Sequence, residues 1–584
     1  MSLKWVTLIM TRRDTAVRVV NLSKSYTLEC GEKVRVLENI SFNLYRNEIL
    51  GFIGRSGGGK TTLIRVLRGV EPFDEGEIWI NNVHLTPKAS EDDIRKVRET
   101  TAIHLQRSFG LWAASTLENV MRRLYALETG DETAPLPYDE SDYRRLEEES
   151  MRILKAVMLA QKANHPAHTL SGGEKQRLVL ARQLAMASRK PITLLLDEPV
   201  TMSCLATKQV ALDWIKKIRD QLDVSIIIAS HLPSILKYLA DRAIWLEKKI
   251  IAVGKPKEII DKFLAQMEVP VSLKTVPRSK KKIIKVQDLT QSYRAEISED
   301  SFEMKNLNFE VYNGEILVII GPSGVGKTVL IRLLSGLELP EKGKVLYKLE
   351  NKRVNIAKLG YEAVMTRRRI GVVHQELDLA YGATVKDLAL ARLGLKGEKA
   401  LIMAKEKAKE LGLKEEIVDS IYRLWDYPER EMIKKFEKLG LEKEVVKSLF
   451  PIAPWEAVSE MFEPMFRLFN LSPDLLNRKS HELSGGEKIR VAIALELLSR
   501  PEVLFLDEPF GDLDPITLRN LSNVLKFVNN EFNVTIVLVS HHVDFVKEVA
   551  HRAILMREGE IVEEGDPIKL CERFIGESQA QFIN

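Results

Sequence analysis

The chain has 584 residues, enough for two domains of more than about 200 residues each. Its 87 Lys and Arg against 82 Asp and Glu leave a formal net charge of +5, which demands neither nucleic acid nor an acidic membrane as partner. Cys30, Cys204 and Cys571 make no metal-spaced pair and fit reduced thiols in a cytoplasm, and no apolar run approaches the roughly 20 residues of a membrane span.

In chain order, Leu3–Met10 is apolar but too short for the core of a signal peptide, and Arg12 and Arg13 follow it. Residues 1–16 therefore read as an extension before a first domain over 17–267. Tyr26 closes the segment Asn21–Tyr26. An apolar run at Ile49–Ile53 predicts a strand, and Leu63–Leu67 predicts a helix. Between them lies Gly54-Arg55-Ser56-Gly57-Gly58-Gly59-Lys60-Thr61, followed by Thr62, which fits G-x-x-x-x-G-K-[ST] in the strand–helix context that the pattern requires. Its glycines let consecutive N–H groups face one anion, the helix N-terminus adds positive potential, and Lys60 reaches outer phosphates. The Thr61 hydroxyl is placed to ligate Mg²⁺. A glycine-rich turn without ligand is the plain alternative, and a second copy of the pattern argues against it.

Gln106 stands in the segment His104–Trp112. Leu170-Ser171-Gly172-Gly173-Glu174 opens a predicted helix, so its N–H groups form a second anion site. The apolar run Ile192–Leu196 ends in Asp197-Glu198-Pro199, and Ser225–Ser230 runs into His231. Asp197 suits a Mg²⁺ site. Glu198 suits a base beside an attacking water, a role worth about 10²–10⁴ in rate. Residues 268–282 carry two prolines and Lys280–Lys282 and read as an extended, solvated tether.

The second domain, 283–584, repeats the order. Tyr293 closes Asp288–Tyr293. Ile316–Ile320 leads into Gly321-Pro322-Ser323-Gly324-Val325-Gly326-Lys327-Thr328. Gln375, Ser484-Gly485-Gly486, Asp507-Glu508 and His541 follow at the corresponding places. A lone Tyr is ordinarily packing and a lone His ordinarily structural; their matched placement is what makes Tyr26 and Tyr293 candidate adenine stackers. The stretch before Ser484 carries an insert within 393–473, with amphipathic helices expected at Ala404–Leu413 and Glu429–Leu441. Its aromatic stretch Met461–Phe469 forms either the insert's own small core or a docking surface. Cys204 stands where the second half has Asp514, as a small buried hydrophobe or a redox-sensitive thiol.

The combination of loop, LSGGE, acidic strand and His resembles the nucleotide-binding domain of the ABC ATPases, present twice. That resemblance implies an α/β fold, with a mixed-sheet ATP core and a helical subdomain in each domain. It implies ATP and Mg²⁺ as ligands and a catalytic role for Glu198, Glu508, His231 and His541. Nucleotide would be bound by Tyr26, Gly54, Ser56, Gly57, Gly59, Lys60, Thr61, Thr62, Gln106, Ser171, Gly172, Gly173 and Asp197. In the second half the set is Tyr293, Gly321, Ser323, Gly324, Gly326, Lys327, Thr328, Gln375, Ser484, Gly485, Gly486 and Asp507. The metal would be held by Thr61, Gln106, Asp197, Thr328, Gln375 and Asp507. In such proteins LSGGE faces the γ-phosphate on the other domain, so one ATP is expected between Lys60 and Ser484 and another between Lys327 and Ser171. The loop bearing Asp514 is then expected at the Lys60 loop.

Among ABC proteins, the linker is too short for a translation factor, and only Cys30 precedes the first loop, unlike recycling factors with an iron–sulfur domain. Arg55, Leu67–Glu71, Thr101–Trp112, Thr201–Gln209 and Asp474–Ser480 together look like the A-two activation components of methyl-coenzyme M reductase from methane-metabolising archaea. This resemblance implies cytoplasmic work with the reductase and its activation complex, including iron–sulfur electron-transfer proteins, without membrane insertion or nucleic acid. The ATPase subunit of an importer with separate permeases is the alternative.

Overall fold

The structure is a computed structural model. It describes residues 15–27, 33–104, 110–170, 172–187, 192–200, 205–221, 224–275, 281–294, 301–322, 324–349, 352–358, 360–374, 377, 379–393, 398–424, 434–436, 438, 440, 443–450, 462–510 and 513–583. The chain divides into two compact units. One comprises Met1–Glu268 with Asp512–Thr517 and Ile575–Asn584; the other comprises Val269–Gly511 with Leu518–Phe574.

In the first unit, β1 (Thr15–Thr27), β2 (Lys33–Tyr45), β4 (Glu75–Ile80) and β5 (Val83–Leu85) form an antiparallel sheet in the order β2-β1-β4-β5. A six-stranded mixed sheet has the order β10-β9-β3-β8-β7-β6. Its strands are β3 (Ile49–Ile53), β6 (Thr101–His104), β7 (Ile192–Asp197), β8 (Val224–Ala229), β9 (Arg242–Glu247) and β10 (Lys249–Gly254). All its pairings are parallel except β9 with β10. Strands β3, β7 and β8 are buried at every residue, which explains their largely apolar runs, interrupted in β7 and β8 only by Thr193, Ser225 and the terminal Asp197: a parallel strand covered on both faces has no polar side. The relevant helices are α1 (Lys60–Leu67), α2 (Gly172–Ala187), α3 (Leu205–Gln221), α4 (Pro233–Leu239) and α5 (Pro256–Leu264). Leu63, Ile64, Val66 and Leu67 of α1 join Val17, Leu37, Phe52 and Ile78 in one core, fixing the loop before α1 against both sheets.

The second unit repeats this plan. Strands β11 (Lys282–Arg294), β12 (Ser301–Tyr312), β14 (Lys342–Leu349) and β15 (Lys352–Asn355) form the antiparallel sheet β12-β11-β14-β15. The mixed sheet runs β16-β17-β18-β13-β19-β20. Its members are β13 (Ile316–Ile320), β16 (Ile370–Val373), β17 (Val503–Asp507), β18 (Thr535–Val539), β19 (Arg552–Arg557) and β20 (Glu560–Gly565). Helices α6 (Lys327–Ser335), α7 (Gly485–Leu498), α8 (Pro515–Phe532), α9 (Val543–Val549) and α10 (Pro567–Glu577) correspond to α1–α5.

Three expectations are refined. Residues 269–274 are mostly exposed, as a solvated segment should be, but they are not a free tether, because their backbone groups bond to α8 within the second unit: Val271 N–H to Asn523 Oδ1 at 2.8 Å and Lys274 N–H to Asn530 Oδ1 at 3.0 Å. Phe462, Phe466 and Phe469 are buried, so the described aromatics of Met461–Phe469 pack inward and offer no docking surface. The helix expected at Ala404–Leu413 runs Glu398–Glu410 instead. Its Ala404 and Ala408 join Val418, Ile421, Phe436, Val446, Leu449 and Phe450 in a small core of the insert's own. Much of Glu429–Leu441 lies outside the described residues.

Candidate nucleotide site

In each mixed sheet the three adjacent strands β3, β8, β7 (and β13, β18, β17) deliver the chemistry at their carboxyl ends, the usual ligand edge of such a sheet. β3 runs into the Gly54–Thr61 loop, β7 into Asp197 and Glu198, and β8 into Ser230 and His231. The loop's glycines answer to space and backbone angle. A Cβ on Gly54 would stand 2.1 Å from the Leu246 carbonyl oxygen, and Gly321 meets the Met556 carbonyl in the same way at 2.4 Å. Gly59 and Gly326 cap α1 and α6 in the left-handed region without a side-chain cap, which leaves the helix-start N–H groups to an anion.

Lys60 is buried and folds its Nζ back on the loop, 2.7 Å from the Gly54 carbonyl and 3.0 Å from that of Arg55. Lys327 does the same with Gly321 at 3.0 Å and Pro322 at 2.7 Å. Thr328 donates to Asp507 at 3.1 Å, and Thr61 bonds Asp197 likewise. Glu198 accepts from the His231 N–H at 2.7 Å and from the Ser230 hydroxyl at 3.2 Å, and the His231 ring stands 2.7 Å away. The His541 ring stands 2.7 Å from Glu508, and Lys327 Nζ lies 3.8 Å from the same carboxylate oxygen. Both glutamates hold positive φ, 50° and 46°, a costly conformation for a residue with a side chain.

Burial pushes Asp197 up to about 6 and pushes Asp507 upward too, against the hydrogen bonds from Thr61 and Thr328. Burial also pushes Glu198 up, but the charge and hydrogen bonds of His231, with Lys60, outweigh it and leave Glu198 below the usual range. Burial lowers the Lys60 amine despite nearby Glu198, Asp514 and Asp197.

A family model described as "ABC transporter" matches residues 37–201 and 304–511. The chain belongs to the ABC transporter family. It is 47% identical, over 97% of its length and 98% of the relative's, to an uncharacterized ABC transporter ATP-binding protein of Methanocaldococcus jannaschii. A ribose import ATP-binding protein of Caldanaerobacter subterraneus is 24% identical over 91% of this chain and 93% of its own. Among solved structures, the archaeal ribosome recycling factor aABCE1 aligns over 96% of this chain and 92% of its own, with a TM-score of 0.58 and 18% identity, a likeness of fold. The molecule is thus an ATP-binding ABC ATPase with two such domains in one chain.

The remaining ABC elements fall as follows. Ser484 caps α7: its hydroxyl accepts from Glu487 N–H at 3.3 Å while Glu487 accepts from Ser484 N–H at 2.8 Å, leaving Ser484 and Gly485 exposed. Gly172 and Gly173 open α2. Ser171, Ser323, Gln106, Gln375 and Cys204 lie outside the described residues. Tyr26 carries the Lys24 ammonium 4.8 Å from its ring centre, and Tyr293 is exposed with its hydroxyl bonded to Glu338. Within the first unit the Ser56 N–H donates to Asp514 Oδ2 at 3.1 Å, so the expected approach of Asp514 to the Lys60 loop is present.

The residues suit ATP and Mg²⁺. The loops have room for an anion at Gly57 and Gly324, where a Cβ would meet no atom of the described residues within 4 Å. His231 Nε2 and His541 Nδ1 are buried polar atoms without a hydrogen-bond partner among the described residues, set beside the glutamates. Sequence reasoning had no separate role for Ser230, whose hydroxyl joins Glu198 to the Leu232 N–H at 3.1 Å; its signal was its place before His231.

Proposed function

We propose that the chain binds and hydrolyses Mg²⁺-ATP to support the ATP-dependent reductive activation of methyl-coenzyme M reductase. It acts in the cytoplasm, beside the reductase and iron–sulfur proteins of the activation complex. The observation that carries this reading is the joint wording of Arg55, Thr101–Trp112, Thr201–Gln209 and Asp474–Ser480 around two ABC domains. Among the described residues, no helix is long and apolar enough to cross a membrane, and no cluster of ligands could hold a further metal. In this reading partners carry the electrons, and this chain contributes nucleotide-driven work.

Lys60 and Lys327 exchange loop carbonyls for phosphate oxygens. Thr61, Gln106 and Asp197, and their counterparts Thr328, Gln375 and Asp507, would hold Mg²⁺, which when bound neutralises phosphate charge. Glu198 and Glu508 accept a hydrogen bond from the attacking water, held in place by Ser230, His231 and His541. The low proton affinity of Glu198 suits orienting and polarising that water more than retaining its proton. Importer ATPase work is the second reading, favoured by the likeness to the ribose import protein along most of the chain.

Inactive reductase supplied with ATP and its electron-transfer proteins is expected to become active only when this chain is added. The Glu198→Gln/Glu508→Gln double variant should still bind ATP but lower activation at least about tenfold. Full activation without the chain, or its purification with integral membrane permeases and no reductase, overturns the proposal.

A further inference from the structure

Val271 and Phe582 hold the same place in the two halves, equally far beyond the prolines, Pro256 and Pro567, that open α5 and α10. Phe582 belongs to the compact unit built mainly from the first half of the sequence, and Val271, in the segment between the two domains, belongs to the other unit. In the second unit, Val271 N–H donates to Asn523 Oδ1 at 2.8 Å, and Asn523 Nδ2 donates to the Val269 carbonyl at 3.0 Å. The Lys274 carbonyl lies 2.8 Å from His551 Nε2, just beyond α9. In the first unit, Phe582 N–H donates to Gln209 Oε1 at 2.9 Å, and the Phe582 and Ala580 side chains are buried. The Gln209 amide nitrogen donates onward to Asp213 at 2.8 Å and to the Tyr238 hydroxyl at 3.0 Å, and that hydroxyl donates to Asp213. A single buried amide thus joins the end of the chain to α3 and α4.

These two helices lead straight back to the hydrolytic pair. α4 begins just after His231, whose N–H and ring hold Glu198, and α3 follows the segment that leaves Glu198. The terminal segment packs against α4. A buried ring and a buried hydrogen bond at that point restrict how far α4, and His231 with it, can shift.

We propose that the C-terminal segment is a strap and Phe582 a positioning residue for the first hydrolytic site, holding α4 so that His231 stays on Glu198. Residues 269–274 bond to α8 and to His551 beyond α9 in the second unit, but from mostly exposed positions and without a buried ring. The inference rests on the reading that both sites hydrolyse ATP.

The test uses the full chain in two backgrounds. In Glu508→Gln, where hydrolysis reports the first site, Phe582→Ala should lower kcat by about tenfold. KM for ATP should stay within about twofold, and Phe582→Leu should restore most of the rate. In Glu198→Gln, where hydrolysis reports the second site, Phe582→Ala should leave the rate unchanged. Equal loss in both backgrounds, or no loss in the first, overturns the proposal. If neither background hydrolyses ATP, the hydrolysis reading fails separately, and hydrogen exchange decides the strap. Phe582→Ala should speed exchange in α4 and not in α9, and equal exchange in the two helices overturns it.

Discussion

Asp197 and Glu198 are adjacent carboxyls driven in opposite directions, which is how one short segment supplies both a metal-ligand candidate and an ionised acceptor. The Asp197 shift has a consequence for the ligand-free chain. Its folded value, about 6, lies above the ordinary 3.8 because burial disfavours the charge. Between those two pH values the unfolded chain releases the proton first, so stability falls as pH rises through the window, and the cost is complete above it. The cost is on the order of 3 kcal/mol. Asp197→Asn keeps an acceptor for Thr61 without the charge. It should stabilise the ligand-free protein by on the order of 1–3 kcal/mol at pH 7.5 and by little near pH 4. Urea denaturation at the two pH values checks this; an identical midpoint shift at both would show that charge burial is not the cause.

At the scale of elements, the start of α8 ties helix capping to nucleotide binding. Asp514 Oδ1 accepts from the Ile516 and Thr517 N–H groups at 3.1 and 3.0 Å, and Oδ2 accepts from the Thr517 hydroxyl at 2.8 Å as well as from Ser56. Burial raises this carboxyl, but the bonds from Thr517 and Ser56, with the Lys60 charge, hold it below its usual value. Its contribution is therefore present above the ordinary aspartate pKa and is lost as pH falls through the depressed folded value. Asp514→Ala should remove a helix cap worth about 1 kcal/mol. It should also weaken ATP binding to the Lys60 loop, read in a Lys327→Ala background, more than binding to the Lys327 loop, read in Lys60→Ala. Equal weakening would break the assignment. The strands and loops that build this site were legible because β3, β7 and β8 are buried on both faces and their endings carry distinctive residues. The inward turn of Phe462, Phe466 and Phe469 was not, since one helical spacing serves a private core and a partner surface equally. The docking of residues 269–274 was also hidden, because backbone groups make it and composition does not register them.

Across the whole molecule, the repeat itself was readable from matching motifs, while the membership of Asp512–Thr517 and Ile575–Asn584 in the first unit depends on long-range contacts that no motif marks. The repeat makes the remaining differences informative. The Lys60 loop has an aspartate carboxylate on its Ser56 N–H, whereas the first half's own counterpart of Asp514 is Cys204, which can supply no carboxylate to any loop. A loop held by such a charge-assisted bond starts closer to one geometry, and positioning is where phosphoryl transfer gains most of its rate. The Lys60 site should therefore turn over faster. In single-turnover hydrolysis, Glu508→Gln, which leaves that site intact, should exceed Glu198→Gln by at least about threefold. Asp514→Cys, which copies the first half's residue, should bring the two rates together by slowing the Lys60 site. Equal rates in the parent variants, or a difference that Asp514→Cys leaves untouched, would place the origin of any asymmetry elsewhere in the chain.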